Sequence, residues 1–353
     1  MLPFVSIIMP IRNEEIFIQK CINSILSQTY PIENIEIIVV DGISDDDTKD
    51  IVKSIALKKS NIKLLNNPKM IVPFGFNIGL SESIGDVIIR IDGHCLIDKK
   101  YVQNCINKLI EKDYDCVGGY ITNSAVGKIG NLINIAQSSF FGVGGVDFRR
   151  KIHTGRCVDT LAFGAYKREV FSKLGGYDEE LKRNQDDEFN FRLIQNGGKI
   201  WLDPSIKSTY YPRSSILKLF KQYFEYGLYK IRVFQKRKSI ASLRHLVPAF
   251  FVIGFSVLLI LALTISSLPL LALILIYCLA SLFSSIYAFI SLDSRNEINI
   301  LSLIFISPII YFTLHFSYGI GTIIGLIKFA KKWNKSDTVD SSFNHIKFVS
   351  KSN

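Results

Sequence analysis

At 353 residues, 48% hydrophobic, with a formal charge of +11 and a mean hydropathy of +0.25, the chain exceeds one average domain and is too apolar for a purely soluble protein. Cys21, Cys95, Cys105, Cys116, Cys157 and Cys278 form no CxxC spacing and lie mostly in apolar surroundings, which excludes a disulfide framework or zinc site and fits free thiols in a reducing compartment. The excesses are uneven: residues 1–240 have globular composition, residues 246–330 are overwhelmingly apolar, and a basic block between Lys199 and Arg244 joins them. That position suits anionic lipid headgroups, or a phosphorylated lipid, better than nucleic acid.

The first fifteen residues, MLPFVSIIMPIRNEE, have no basic region ahead of the apolar run, and Arg12, Glu14 and Glu15 interrupt it. No signal peptide is expected there, so the large domain is expected in the cytoplasm. Residues 4–10 read as a buried strand closed by Pro10. Residues 16–28 repeat Ile18, Ile22, Ile25 and Leu26 at helical spacing until Pro31 bars continuation. Strands are predicted at 35–40, 62–65, 86–91 and 115–119, and helices near 48–58, 73–83 and 99–112. Near-continuous apolar strands alternating with helices predict an α/β domain with a mostly parallel sheet.

Ligands bind at the C-terminal ends of such strands, giving residues 10–12, Asp41 and residues 92–94 a common rim. Asp41 can accept from ribose hydroxyls or a base N–H, or it can cap the next helix. Asp92 and His94, at i and i+2, can meet one divalent cation, although Asp-Gly also commonly starts a turn. Neither GxGxxG nor GxxxxGKS is present.

The runs SIIMPIRNEE, VVDGISDDDT and NIGLSESIGDVIIRIDGH resemble the nucleotide-binding half of family 2 glycosyltransferases with the GT-A fold, over about residues 4–235. The resemblance implies a nucleotide-sugar donor, UDP-linked by family preference, held by Pro10, Arg12, Glu14, Asp41 and Asp92. It also implies a divalent cation, Mn2+ or Mg2+, at Asp92 and His94. His94 stands where the second carboxylate of Asp-x-Asp is usual, and imidazole suits manganese better than magnesium. The Arg-x-Asp-Gly-His pattern of residues 90–94 resembles the bacterial succinoglycan-synthesis branch.

Residues 126–145 mix apolar residues with glycine and give no readable pattern. Residues 148–159 concentrate Arg149, Arg150, Lys151, His153 and Arg156, either a solvated face or a contact to phosphate or acceptor. The following DTLAFGAY, from Asp159, resembles an acceptor-side segment of the family. Asp186, Asp187 and Glu188 are three successive acids opening a helix; crowding raises one pKa while the helix N-terminus offsets part of the repulsion. The segment resembles the family's Glu-Asp motif. Anchored on Arg192 and Leu193, it makes Asp186 the catalytic base, Gln185 a replacement for the commoner glutamate, Asp187 the rival and Arg192 a support.

Residues 220–230 suit an amphipathic interfacial helix. Gln222 begins the stretch where processive members carry Gln-x-x-Arg-Trp, but neither Arg nor Trp follows, which favours transfer of a single sugar. Residues 246–265 and 268–290 are each long enough to cross a bilayer. Residues 298–327, interrupted by Pro308, His315, Gly319, Gly321 and Gly325, read as a broken span or a re-entrant hairpin. Basic residues flank both ends of this region, which demands an even number of crossings, whereas counting gives three.

The expected organisation is a cytoplasmic GT-A domain at 1–213, an interfacial segment at 214–245, a membrane region at 246–330 and a polar tail at 331–353. The expected activity is inverting transfer of one sugar to a lipid-linked saccharide in surface or extracellular polysaccharide synthesis. It would occur at the inner (cytoplasmic) membrane of a multi-pass protein working beside other polysaccharide-assembly proteins on an anionic bilayer, with no nucleic acid. Alternatives are a polyprenyl-phosphate acceptor, a processive synthase and a non-enzymatic membrane scaffold.

Overall fold

The computed structural model describes residues 2–124, 127–212, 215–239, 243–291 and 299–333. The expected boundary at 213/214 and nearly all of the expected tail, 334–353, lie outside the described residues. In chain order the elements are β1 (Val5–Ile11), α1 (Ile18–Leu26), β2 (Ile35–Asp41), α2 (Thr48–Ala56), β3 (Ile62–Asn66), α3 (Val72–Glu82), β4 (Val87–Arg90), β5 (Cys95–Ile97), α4 (Tyr101–Glu111) and β6 (Cys116–Asn123). They continue as α5 (Gly127–Ser138), α6 (Phe140–Val143), β7 (Arg156–Cys157), β8 (Ala165–Lys167), α7 (Arg168–Leu174), α8 (Gln185–Gln195), β9 (Ile200–Tyr210) and α9 (Ile216–Arg237). The last four are α10 (Val247–Thr264), α11 (Leu268–Ser291), α12 (Ile300–Phe305) and α13 (Ser307–Lys328). The chain divides into two compact units. One runs to Thr122 and resumes at Arg150–Tyr210; the other is Asn123–Arg149 with the described residues from Tyr211 on.

In the first unit, β1 and β2 are buried along their whole length because helices cover both faces, which is why their sequences read as unbroken apolar runs. The sheet order is β3-β2-β1-β4-β8-β6-β9-β5, with β7 beside β9. The first four strands are parallel, as expected. The others correct the expectation of a mostly parallel sheet: β8 runs antiparallel between β4 and β6, and β5 and β7 pair antiparallel with β9. The strands at 156–157 and 165–167 are too short to carry a periodic signal. Register aligns Ile11 with Asp41 and Asp41 with Asn66, so the ends of β1, β2 and β3 form one edge. All six cysteines are free thiols, four of them buried.

In the second unit, α13 is the central helix. Gly321 and Gly325 bring its backbone against α9: a Cβ at Gly321 would lie 2.1 Å from the Phe224 carbonyl oxygen, and one at Gly325 2.7 Å from that of Leu228. Further along, Gln235 Nε2 donates to the Phe329 carbonyl at 2.8 Å, so the two helices run parallel. Close backbone approach through glycine is a general way to join apolar helices. Near its start, Tyr311 donates to Ser139 Oγ at 3.0 Å, and His315 Nε2 lies 2.8 Å from the Phe141 carbonyl, fixing α5 and α6 to it.

Among the described residues three helices are long and apolar enough to cross a membrane, spanning Leu243–Thr264, Leu268–Ile290 and Ile300–Lys328; the first two are only 11% buried and the third 44%. The third is interrupted between α12 and α13, just before Pro308, while Gly319, Gly321 and Gly325 lie within one continuous helix. The N-terminal turns of α9 expose Leu217, Lys218 and Lys221, whereas from Tyr223 onward much of α9 is buried.

Candidate active site

The loops after β1 and β2 interlock. Asn13 N donates to Ser44 Oγ (3.0 Å), Asp45 N to Asn13 Oδ1 (3.1 Å), Glu14 N to Thr48 Oγ1 (2.7 Å) and Asp47 N to Glu15 Oε2 (3.2 Å). Asn13 and Ile43 both have positive φ, 55° and 56°. For the β-branched Ile43 this is a costly backbone state, which the bonds around it hold in place.

Asp41, fully buried at the end of β2, accepts from Ser44 Oγ at 2.5 Å and Ser44 N at 3.2 Å. It does not cap α2, whose N-cap is Asp47. Pro10 is buried in β1, and Arg12 is exposed just beyond it.

Past β4 the backbone turns at Asp92-Gly93-His94. The Asp92 carbonyl accepts from Cys95 N at 3.0 Å and from Cys21 Sγ at 3.4 Å. Arg90, itself buried, donates Nε (3.0 Å) and Nη2 (2.7 Å) to Asp92 Oδ1. Its Nη1 lies 3.6 Å from Asp186 Oδ2. One guanidinium therefore joins the carboxylate at the end of β4 to the one in the first turn of α8. His94 Nδ1 is 2.8 Å from Glu14 Oε1, and the Tyr210 ring meets the imidazole edge-on at 4.7 Å.

The start of α8 is held from below by side chains of which the sequence singles out only Arg192 as a support. Asn77 of α3 clamps the backbone of Tyr177, accepting from its N–H and donating to its carbonyl, each at 2.8 Å. The Tyr177 ring stacks on Phe76 at 4.1 Å and meets Phe189 of α8 edge-on. Asn190 accepts from Tyr166 OH at 2.6 Å and donates to Thr160 Oγ1 and the Leu161 carbonyl, tying the DTLAFGAY segment to α8. Arg192 pairs with buried Glu188 (3.0 Å) and donates to the carbonyls of Leu174 (2.5 Å) and Gly176 (2.7 Å), so it braces the loop before α8. Of these positions, Asn77 lies in the quoted NIGLSES run, Thr160, Leu161 and Tyr166 lie in DTLAFGAY, and Arg192 is the expected support.

Burial raises the Asp186 carboxyl above its ordinary range; Arg90 pulls it down, while Asp187 and Asp92 push it up. One side of Asp186 remains open, with 36% of its side chain exposed. Asp187 is half-buried beside it. Gln185 is buried, with Oε1 unbonded among the described residues. Arg156 and Asp159 are exposed, on β7 and just after it. Gln222 belongs to the second unit, where it donates to Tyr226 OH at 2.9 Å.

Among the described residues no three His, Cys, Asp or Glu side chains gather into a closed cation site. Asp92 and His94 supply at most two protein donors. Both Arg90 bonds to Asp92 end on Oδ1, and no bond among the described residues reaches Oδ2. An open carboxylate oxygen and an imidazole fit a cation whose other ligands are substrate phosphate oxygens and water.

A family model described as Glycosyl transferase family 2 matches residues 6–175. The chain is 32% identical over 333 residues to the dolichyl N-acetyl-alpha-D-glucosaminyl phosphate 3-beta-D-2,3-diacetamido-2,3-dideoxy-beta-D-glucuronosyltransferase of Methanococcus voltae, covering 92% of this chain and 98% of that protein. It is 29% identical over 244 residues to the succinoglycan biosynthesis protein ExoA of Rhizobium meliloti, covering 69% and 73%. Its structure is similar to that of the mannosyltransferase PcManGT from Pyrobaculum calidifontis in complex with GDP-Man and Mn2+. The TM-score is 0.63 at 17% identity, covering 93% of this chain and 88% of that one, a likeness that establishes the GT-A fold.

Proposed function

The chain belongs to glycosyl transferase family 2 and is a transferase, and from that premise we propose that it moves one sugar from a nucleotide-sugar onto a lipid-linked saccharide, with inversion, at the cytoplasmic face of a membrane. The observation that carries this reading is Arg90, which joins Asp92 on the donor side to Asp186 on the acceptor side. Asp41, fixed by Ser44, accepts hydrogen bonds from the nucleoside. Pro10, Arg12 and Glu14 belong to the loop above it. Asp92 and His94 would hold a divalent cation, and the chemistry such a cation supplies is charge neutralisation on the departing diphosphate. Asp186 takes the proton of an acceptor hydroxyl as that oxygen attacks the anomeric carbon; a raised pKa brings a carboxylate nearer its working pH as a base. A single displacement inverts configuration and needs no second carboxylate nucleophile. Arg156, Asp159, Gln185 and Asp187 are assigned to the acceptor side, with Arg192 bracing from beneath. Gln222, without a following Arg-Trp, favours one transfer per acceptor.

The full-length relative from Methanococcus voltae is named for transfer to a dolichyl-phosphate-linked sugar, which favours a saccharide acceptor over a bare lipid phosphate. A screen of sugar nucleotides against lipid-linked acceptors, read by product mass, tests the proposal. One added sugar on a lipid-linked saccharide is expected. Intact nucleotide binding with neither transfer nor donor hydrolysis would leave a non-enzymatic scaffold instead. Chelation is expected to abolish transfer, and manganese to restore it better than magnesium; full turnover in chelator would remove the cation from the mechanism.

The same proposal includes a membrane topology. Of the three apolar helices, α13 is the one that packs along the charged α9, through Gly321 and Gly325 in its second half. A helix carrying Glu225, Lys230 and Arg232 is costly to take through hydrocarbon beside a crossing helix. Two crossings, α10 and α11, follow, and both basic flanks then share the cytoplasmic face. An impermeant maleimide applied to intact cells should label Ser267→Cys. It should reach Lys221→Cys and Lys331→Cys only after the cells are opened. Labelling of Lys331→Cys from outside would establish a third crossing.

A further inference from the structure

A histidine can hold a cation only through a ring nitrogen that carries no proton, and the partner of the other nitrogen decides which one that is. His94 Nδ1 lies 2.8 Å from Glu14 Oε1, and the two side chains are 20% and 16% exposed, so water competes weakly for either. A carboxylate oxygen accepts, so Nδ1 must donate. We propose that Glu14 is a positioning residue that holds His94 in the Nδ1–H tautomer, leaving the Nε2 lone pair to face the cation. This rests on the reading of Asp92 and His94 as cation ligands and adds to it a role that Glu14 performs through His94 alone.

Three further features converge on the pair. The Glu14 backbone is fixed on both sides: its N–H donates to Thr48 Oγ1 at 2.7 Å, and its carbonyl accepts from Phe17 N (2.9 Å) and Ile18 N (2.8 Å) at the entry to α1. The carboxylate therefore reaches His94 from an anchored turn. Gly93 makes room for it. A Cβ at Gly93 would lie 2.8 Å from Glu14 Cγ and 3.1 Å from Glu14 Cβ. Gly93 is not among the positive-φ residues, so the space for Glu14 explains the glycine better than backbone conformation does. Tyr210, edge-on to the imidazole at 4.7 Å, restrains ring rotation. A carboxylate behind a histidine also increases the basicity of the ligating nitrogen, which favours cations that accept nitrogen ligands.

The test uses the purified full chain in detergent, with Mn2+ alone as the probe, followed by electron paramagnetic resonance. Nitrogen-15 NMR of the histidine-labelled, metal-free protein reads the tautomer, with His94→Ala assigning the signal. Wild type is expected to show the Nδ1–H tautomer. Glu14→Ala should mix the tautomers and weaken Mn2+ binding by about 10- to 100-fold. Glu14→Gln, whose amide oxygen still accepts from Nδ1–H, should keep the tautomer and most of the affinity. Gly93→Ala disturbs the pair from the other side and should reproduce Glu14→Ala, which guards against a variant that merely folds badly. An Nδ1–H signal and an Mn2+ affinity both unchanged in Glu14→Ala would overturn the role of Glu14. Mn2+ binding unaffected by His94→Ala would instead overturn the cation-ligand reading, whatever the tautomer.

Discussion

Replacing Asp186 with asparagine is expected to lower sugar transfer by about 100- to 10,000-fold, the range associated with loss of a positioned general base, while nucleotide-sugar binding is retained. Asparagine keeps the shape and still accepts the Asp187 N–H, which meets Asp186 Oδ1 at 3.0 Å. It cannot take a proton. Turnover measured beside a donor-binding titration checks this, and unchanged turnover would remove Asp186 from the chemistry. A much smaller loss would point to a lipid phosphate as nucleophile, since a phosphate oxygen needs little deprotonation. The pH dependence has a definite sign. Burial raises the folded carboxyl above its ordinary value, so the acid limb of the kcat profile should lie above the range of a solvated aspartate. The stability that Asp186 contributes is full below its unfolded pKa and is lost as pH rises through the folded one. At neutral pH the ionised group works against folding, so Asp186→Asn should not lower Tm.

Replacing Arg90 with leucine is expected to cost about 1.5–3 kcal/mol, the scale of hydrogen bonds to charged groups, and to lower transfer about 10- to 100-fold through misplacement of the groups it holds. The two bonds to Asp92 Oδ1 and the ion pair with Asp186 disappear together, leaving two acidic groups without their common cation. Arg90 is also what pulls the Asp186 carboxyl down, so its removal should move the acid limb of the kcat profile to higher pH. Arg90→Lys keeps the charge but not the planar fork and should recover only part of the loss. Thermal unfolding and a kcat–pH profile measure both effects. An unmoved acid limb in the leucine variant would mean that Arg90 does not govern the base.

The parallel half of the sheet was legible because strands covered on both faces leave continuous apolar runs such as residues 35–41. The rim followed from the rule that ligands gather where such strands end. What joins the rim residues was not legible. Arg90 reads as one more charge until the fold brings Asp186 to it, and Asn77 finds the Tyr177 backbone 100 residues along the chain. In the second unit the glycines of α13 read as helix breakers. They lie in a continuous helix because α9 packs its backbone against Gly321 and Gly325. Residues 126–145 gave no period because their partners are other helices at large sequence separation, not a solvent boundary that would impose one.

That separation sets an order of events during synthesis. Ser139 meets Tyr311, 172 residues later, and at translation rates of about 5–20 residues per second that is a wait of roughly ten to thirty seconds. The described strands of the first unit are all made once Tyr210 has emerged. In the second, α5 and the face of α9 that meets Gly321 and Gly325 have been made long before α13 exists to cover them. Their apolar sides stand open throughout that interval, and the second unit closes in one late step when its central helix arrives.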